Sequence, residues 1–447
     1  MSGTDLSRAA ARFAATLSWD ALPAGARHAA RRTVANAVGL AVGASDHEVV
    51  RTAASALGAL GVRGRHGVLG RTERSSATGA ALLNGVAMHV EDFDDTHLRT
   101  VLHPGAPVVP AALAAAELAD ASGMRVLEGV AAGVELASRV GNGLGPGHFD
   151  RGWHVTGTVG HIGAAIAAGR VLGLTEEQML TAIAVAATQA AGHTEQLGSM
   201  TKALHPGKAA ADGVQAAVLA RGGLTAPDRP LEGPRGMGAL MSPELDAREV
   251  LAGLGERWEI EDNAFKPYSC GIVSHPVIDA AVALRQRVTA RDIASVEVVV
   301  RPVVLEVMGV QEPRNGLQSK FSVYHCFAVG LLDGAAGPAQ YSDERALDPE
   351  VVALRRAVTA TLDADMPKDA CRVVVVPRDG RRVVHEVSHA TGSVDAPMTD
   401  QQLRAKFDLV VGPLLAGSTD RLWDCVWGLQ DARSVTPLFR ASRKDGE

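Results

Sequence analysis

Residues 84–110 read NGVAMHVEDFDDTHLRTVLHPGAPVVP. This stretch sets Glu91, Asp92, Asp94 and Asp95 beside Thr96, His97 and His103. Carboxylates and imidazoles held together away from water shift one another's pKa values, which fits them for proton transfer. A run of acids alone reads as a solvated face. Here Ala-rich helical patterns flank it, and His103-Pro104-Gly105 is a turn that opens the next helix. The loop is therefore pinned between two core elements, where catalytic loops tend to sit.

Four more clusters carry reactive side chains. They are Arg151-Gly152-Trp153-His154, SMTKALHPGK at 199–208, FKPYSC at 265–270 and KFSVYH at 320–325. Lysine is scarce, and arginine carries most of the positive charge. Lys202, Lys208 and Lys266 all fall beside turn residues or aromatics, so a binding role is expected of them. His154 precedes a small-residue helix and is expected to face a cleft. His161, seven residues on, reads as a satisfied core histidine. The DFDD acids could offer oxygen ligands to Mg²⁺, but no second acidic cluster joins them and the lysines would compete for the same anions. The cysteines at 270, 326, 371 and 425 lack iron–sulfur or zinc spacing. No phosphate-binding glycine fingerprint occurs. We therefore expect a site without metal or cofactor. Cations around a histidine suit a substrate with several carboxylates, because they stabilise charge that builds as a proton moves at the carbon α to a carboxylate. Dehydration, decarboxylation and epimerisation all pass through such an enolate-like species.

These groups need elements to hold them. Helical periodicity covers 24–43, 75–90, 107–121, 124–142, 155–172, a helix capped by Thr175, and 207–221. The pattern changes after about residue 265. Strands are expected at 293–304, 371–377 and 382–389, the last two joined around Arg378-Asp379-Gly380, with helices at 275–287 and 321–333. Helix returns after Pro397. The expected fold is mainly α: a large all-helical domain over 1–265, completed by 397–447, and a smaller α+β lid over 266–396. The 447 residues are 47% hydrophobic and 21% charged, a globular composition, and the net charge of −6 gives no basic field for nucleic acid. Unpaired cysteines, an N-terminus without an apolar signal segment and no uninterrupted apolar span predict a cytoplasmic protein that is not in a membrane.

Several blocks together resemble the MmgE/PrpD family, which includes 2-methylcitrate dehydratase, cis-aconitate decarboxylase and iminodisuccinate epimerase. They are NGVAMHVEDFDDT…HPGAPVVPAALAAAE, RGWHVTGTVGHIGAA, GSMTKALHPGKAAADGVQAAVLA, FKPYSCGIVSHPVIDA, KFSVYHCFAVGLLDG and DAPMTDQQLRAKF, in family order over essentially the whole chain. The resemblance implies a helical domain with an α+β lid, a homodimer and a cofactor-free site at the domain interface. It places active-site residues on Asp92, Thr96, His103, His154, Lys202 and Lys266. It also expects a tyrosine in the KFSVYHC block, where Tyr324 and His325 both compete for the place. FKPYSCG and KFSVYH resemble a broad branch of the family more than its methylcitrate dehydratases. The expected activity is a lyase on a small di- or tricarboxylate, or an epimerase using the same intermediate. His103 is expected to be the acid/base oriented by Asp92, with Lys202 and Lys266 on substrate carboxylates. Thr96 and His154 complete the pocket, and Glu91, Asp94 and Asp95 cap helices or hold the loop's shape.

Overall fold

A computed structural model describes residues 5–415 and 417–444. Its first part is a stack of helices: α1 (Leu6–Thr16), α2 (Ala24–Gly43), α3 (Ala77–His89), α4 (Gly105–Ala119), α5 (Gly123–Leu144), α6 (Val155–Leu172), α7 (Glu176–Gln189) and α8 (Met200–Arg221). Local signals set their ends. Ser76 and Ser122 accept a backbone N–H at the starts of α3 and α5, and Thr175 forms a capping box with Gln178. Helix α6 lies in the middle, packed by α4, α5, α7 and α8. It is long and apolar enough to cross a membrane, yet 94% of that stretch is buried among its neighbours.

Small residues make this stack close. A Cβ on Gly85 of α3 would stand 2.8 Å from Gly207 Cα in α8, and one on Gly133 of α5 would stand 2.6 Å from the Gly163 carbonyl of α6. Such contacts admit no side chain.

A second hydrophobic core forms around α9 (His275–Leu284) and α10 (Val323–Asp333), which pack on each other. Two short strands, β1 (Asp95–His97) and β2 (Asn263–Phe265), tie the first part to the start of this segment as an antiparallel ladder pairing Thr96 with Ala264. A four-stranded sheet follows, made of β3 (Ile293–Val300), β4 (Val358–Leu362), β5 (Cys371–Pro377) and β6 (Val383–Val387), in the order β4-β3-β5-β6. The β3–β4 pair is parallel and the other two are antiparallel. Helix α11 (Asp400–Val411), capped by Thr399, packs on α2, and Phe407, Leu422 and Phe439 join the first core. The architecture is mainly helical with small sheets.

The helical part departs from the all-helical expectation at β1–β2 and at a two-residue pairing of His66–Gly67 with Arg74–Ser75. Helix α8 starts at Met200 and runs through Pro206, so HPG is not a turn there. Its polar Lys202 and buried Pro206 hid the apolar period that resumes after residue 207. The strand expected over 293–304 stops at Val300, because Pro302 opens a helix at Pro302–Met308. Strand β4 carried no clear pattern and was missed.

Gly85→Val should lower stability by about 1–3 kcal/mol through overpacking of α3 against α8. Denaturant titration reads this directly, and an unchanged midpoint would show that the two helices can part freely.

Candidate active site

Asp92 follows α3 in a left-handed conformation, with φ of 51°. A non-glycine residue there is strained, and such strain concentrates at functional sites. The twist brings its carboxylate under two lysines. Lys202 Nζ donates to Asp92 Oδ1 at 2.6 Å, and Lys266 Nζ donates to the same oxygen at 3.1 Å and to the Asp92 carbonyl at 3.0 Å. Lys202 comes from the first turn of α8, and Lys266 directly follows β2. Burial pushes the Asp92 carboxyl up, but Lys202 and Lys266 outweigh it and hold it well below its usual range. Burial lowers Lys202, and Asp92 opposes that.

His103 is fixed by its backbone neighbours. Its Nδ1–H donates to the Asp95 carbonyl at 3.0 Å, and Thr96 Oγ1 lies 3.1 Å from the same nitrogen. That pairing assigns the proton to Nδ1 and leaves Nε2 bare. Asp92 makes no hydrogen bond to His103 among the described residues, so its expected orienting role is corrected: both lysines occupy its carboxylate. The carboxylate beside His103 is Asp94, whose Oδ1 lies 3.5 Å from Nδ1. Asp94 Oδ2 accepts from His89 Nδ1 at 2.6 Å. Asp94 is thus more than a shape-holding acid. Asp95 does cap α4, accepting from Gly105 N at 3.2 Å, and burial raises its carboxyl to about 7. Glu91 accepts from Lys320 Nζ at 2.8 Å.

One cavity of about 610 Å³ gathers Asp92, His103, His154, Lys202 and Lys266. It lies between the two hydrophobic cores, and residues 368–369 and 390–395 edge it from the second part. Val101, also left-handed at φ 53°, lines its wall.

The remaining candidates lie elsewhere. Thr96 is fully buried against His103 and does not line the cavity, so it supports the imidazole instead of touching a ligand. Lys208 is six residues past Lys202, which turns it to another face of α8, where it pairs with Asp212. Neither Tyr324 nor His325 reaches the cavity. Tyr324 packs in the second core, and His325 Nε2–H donates to the Gln340 carbonyl at 2.9 Å. The KFSVYH block instead contributes Phe321 to the wall and Lys320 to Glu91. His161 is satisfied in the core, by the Gly157 carbonyl at 2.6 Å and by Asp212 at 3.0 Å.

Sequence reasoning missed His89 and Lys406, and it gave Asp94 only a capping or shape-holding place. Lys406 Nζ donates to Asn36 Oδ1, the Phe93 carbonyl and the Lys266 carbonyl at 2.6–2.9 Å. The scarcity of lysine was the signal that could have found it. His89, Asp94 and His103 bring ligand atoms close enough for a metal ion. Both Nδ1 atoms are already engaged, however, and two ammonium groups bear on His89 and His103. The positive charge of both lysines opposes a cation there.

Two family models match the chain. The MmgE/PrpD N-terminal domain covers residues 8–249, and the MmgE/PrpD C-terminal domain covers residues 268–429. Among curated proteins, the chain is similar to a cis-aconitate decarboxylase of Aspergillus terreus, 29% identical over 83% of this chain and 82% of that protein. It is also similar to cis-aconitate decarboxylases of Mus musculus (28% identical, 83% and 80% covered) and Homo sapiens (27% identical, 82% and 79% covered).

Burial is the main force that holds His89, His103 and His154 well below the usual imidazole pKa, and for each of them Lys202 pushes the same way. All three should stay neutral from pH 8 down past about 6.5, where an unfolded histidine gains its proton. The unfolded chain then binds protons the native chain refuses, so stability should fall as pH drops below about 6.5. Histidine NMR checks the titration, and a midpoint near 6.5 for His103 would refute the buried neutral state.

Proposed function

Because the chain belongs to the MmgE/PrpD family, we propose that it is a lyase that removes CO₂ from cis-aconitate or a close polycarboxylate analogue, using its own side chains for proton transfer and anion binding. It is an enzyme of the MmgE/PrpD type. The observation that carries the reaction is the convergence of two lysines on one carboxylate beside two neutral imidazoles in one cavity. Its relatives are named for the same activity.

Two ammonium groups share one carboxylate, which leaves positive charge for an incoming anion. In cis-aconitate the CH₂–CO₂⁻ carbon–carbon bond breaks and CO₂ leaves. The bonding pair forms a new C=C, and the pair of the old C=C moves to the carbon α to another carboxylate. That carboxylate takes up the charge as an enolate-like oxyanion. Lys202 and Lys266 stabilise it as it forms. The carbon then takes one proton, and the product is a five-carbon unsaturated diacid.

His103 is the acid/base in this reading. Its Nε2 is bare at rest, and the substrate's negative charges raise its proton affinity on binding. Asp94 and the Asp95 carbonyl hold the ring, His154 completes the polar wall, and Thr96 backs His103. Residues 266–396 act as a lid over a homodimeric, cytoplasmic enzyme. Sedimentation reads the dimer, and protection of residues 390–395 from proteolysis by substrate reads the lid.

A base and an acid in one cavity also suit an epimerase, which returns the proton to carbon. Turnover in D₂O separates the two readings by ¹H NMR. The decarboxylase loses CO₂ and gains one deuteron in product, whereas the epimerase exchanges deuterium into recovered substrate. Citrate, methylcitrate, trans-aconitate and aspartate-derived diacids complete the panel.

His103→Ala should lower kcat by about 10² or more. Lys266→Ala should lower kcat if its contact strengthens in the transition state, and raise KM alone if it binds substrate uniformly. Near-wild-type turnover of His103→Ala would remove it from the chemistry.

A further inference from the structure

Four imidazoles stand in file. His103 and His89 have ring centres 5.1 Å apart, His89 and His154 are 5.8 Å apart, and His154 and His205 are 5.1 Å apart. In the last pair, His154 Nδ1 and His205 Nδ1 are 2.8 Å apart, so one donates to the other. His154 lines the cavity and is buried, while His205 is partly exposed and does not line it. His205 sits one turn along α8 from Lys202. Its ring is seated by glycines: a Cβ on Gly192 would meet its Nδ1 at 3.2 Å, and one on Gly157 would meet its Cβ at 3.2 Å. The neighbouring segment is tied to the same place, since His154 N–H donates to the Gly192 carbonyl at 3.1 Å.

We propose that His205 and His154 form a proton inlet that supplies the cavity from the protein surface while substrate fills the cavity mouth. The inference rests on the decarboxylase reading, because that reaction consumes one proton per turnover. A dehydratase moves its proton to the departing hydroxyl and needs no net supply.

The step balances as follows. At rest, His205 Nδ1–H donates to His154 Nδ1, and His154 carries its own proton on Nε2, facing the cavity. The His154 Nε2–H bond breaks as its proton passes to cavity water, and that water hands one to His103 Nε2, bare in the same cavity, as substrate charge draws it in. The His205 Nδ1 proton passes to His154 Nδ1. Water or buffer protonates His205 Nε2 in the same relay, so each ring stays neutral and no imidazolate forms. The proton on His103 moves to the substrate carbon once CO₂ has left. When product leaves, cavity water protonates His154 Nε2, the shared proton returns to His205 Nδ1, and His205 Nε2 releases one to solvent.

The groups around His205 allow this. Burial most disfavours a charged His205, and Lys202 on its own helix, His193 on the segment after α7 and His161 on α6 add to it, lowering it to about 4. His154 is lowered as well. Both rings are therefore held neutral, and neither traps the proton.

The test compares wild type, His205→Gln, His205→Ala and His154→Ala on cis-aconitate, with CO₂ release as the readout. Glutamine keeps a hydrogen bond to His154 but cannot pass a proton. We expect His205→Gln to lose at least tenfold in kcat with KM within twofold and an unchanged melting temperature. Imidazole in the buffer should restore kcat severalfold in His205→Ala and do nothing for His154→Ala. A His205→Gln kcat within twofold of wild type overturns the inlet alone. So does a loss in which KM and melting temperature move together with kcat and imidazole has no effect, which marks His205 as structural. No CO₂ from the wild-type enzyme overturns the decarboxylase reading and the inlet with it.

Discussion

One strained carboxylate holds the site together. Asp92 joins three distant segments: its own loop after α3, the first turn of α8 through Lys202, and the end of β2 through Lys266. Desolvating an ammonium group costs several kcal/mol even after relaxation, and an unpartnered one is intolerable in this core. Lys266 is 1% exposed, so without Asp92 it would have no anion to face. Asp92 holds a left-handed backbone while its Oδ1 accepts from both lysines. The pair is weak evidence for net stability, because the desolvation cost offsets the attraction. Its value is placement: it fixes two cations where a substrate carboxylate would arrive.

The supporting shell obeys the same logic from behind. Lys406 reaches in from α11, lies 4.0 Å from the centre of the Phe93 ring, and clamps the carbonyls of Phe93 and Lys266 together. Burial lowers Lys406 to about 7, so its charge there is held at a cost. The C-terminal segment is thus built into the site as well as into the first core. The helical core around this polar knot is rich in alanine and valine, and glycines let its helices close. Helices that close exclude water, which strengthens every charge interaction inside. The same closeness leaves no room for a misplaced methyl group.

The sequence pattern exposed the helices well because their apolar faces recur at helical spacing. The edges of α2 and α6 were legible to the residue, at Ala24–Gly43 and Val155–Leu172. Where polar residues face inward, the period fails. That is why α8 seemed to start late, although its first turn carries Lys202. The cavity residues Asp92, His103, His154, Lys202 and Lys266 were legible as reactive types beside turns or aromatics. Their pairings were not. Four acids in five residues look alike in a sequence, and only backbone twist decides that Asp92 turns to the lysines and Asp94 to the imidazoles. Tyr324 and His325 misled for a related reason: a helix face cannot be assigned from a short block when both sides are buried.

The neutral histidines give the arrangement its direction. Both His103 and His89 hold their Nδ1 protons against fixed acceptors, Asp95's carbonyl and Asp94. Their Nε2 atoms are then the ones free to exchange. The His89 Nε2 is buried without a partner, so it has no access to solvent protons. His103 opens onto the cavity and can gain one only when something there makes the charged form favourable. In the proposed reaction a polyanionic substrate would do so, and the same lysines that would bind it hold the empty site's imidazoles neutral. On that proposal substrate charge would set the protonation state of the acid, while burial and the lysines hold the imidazoles uncharged without it.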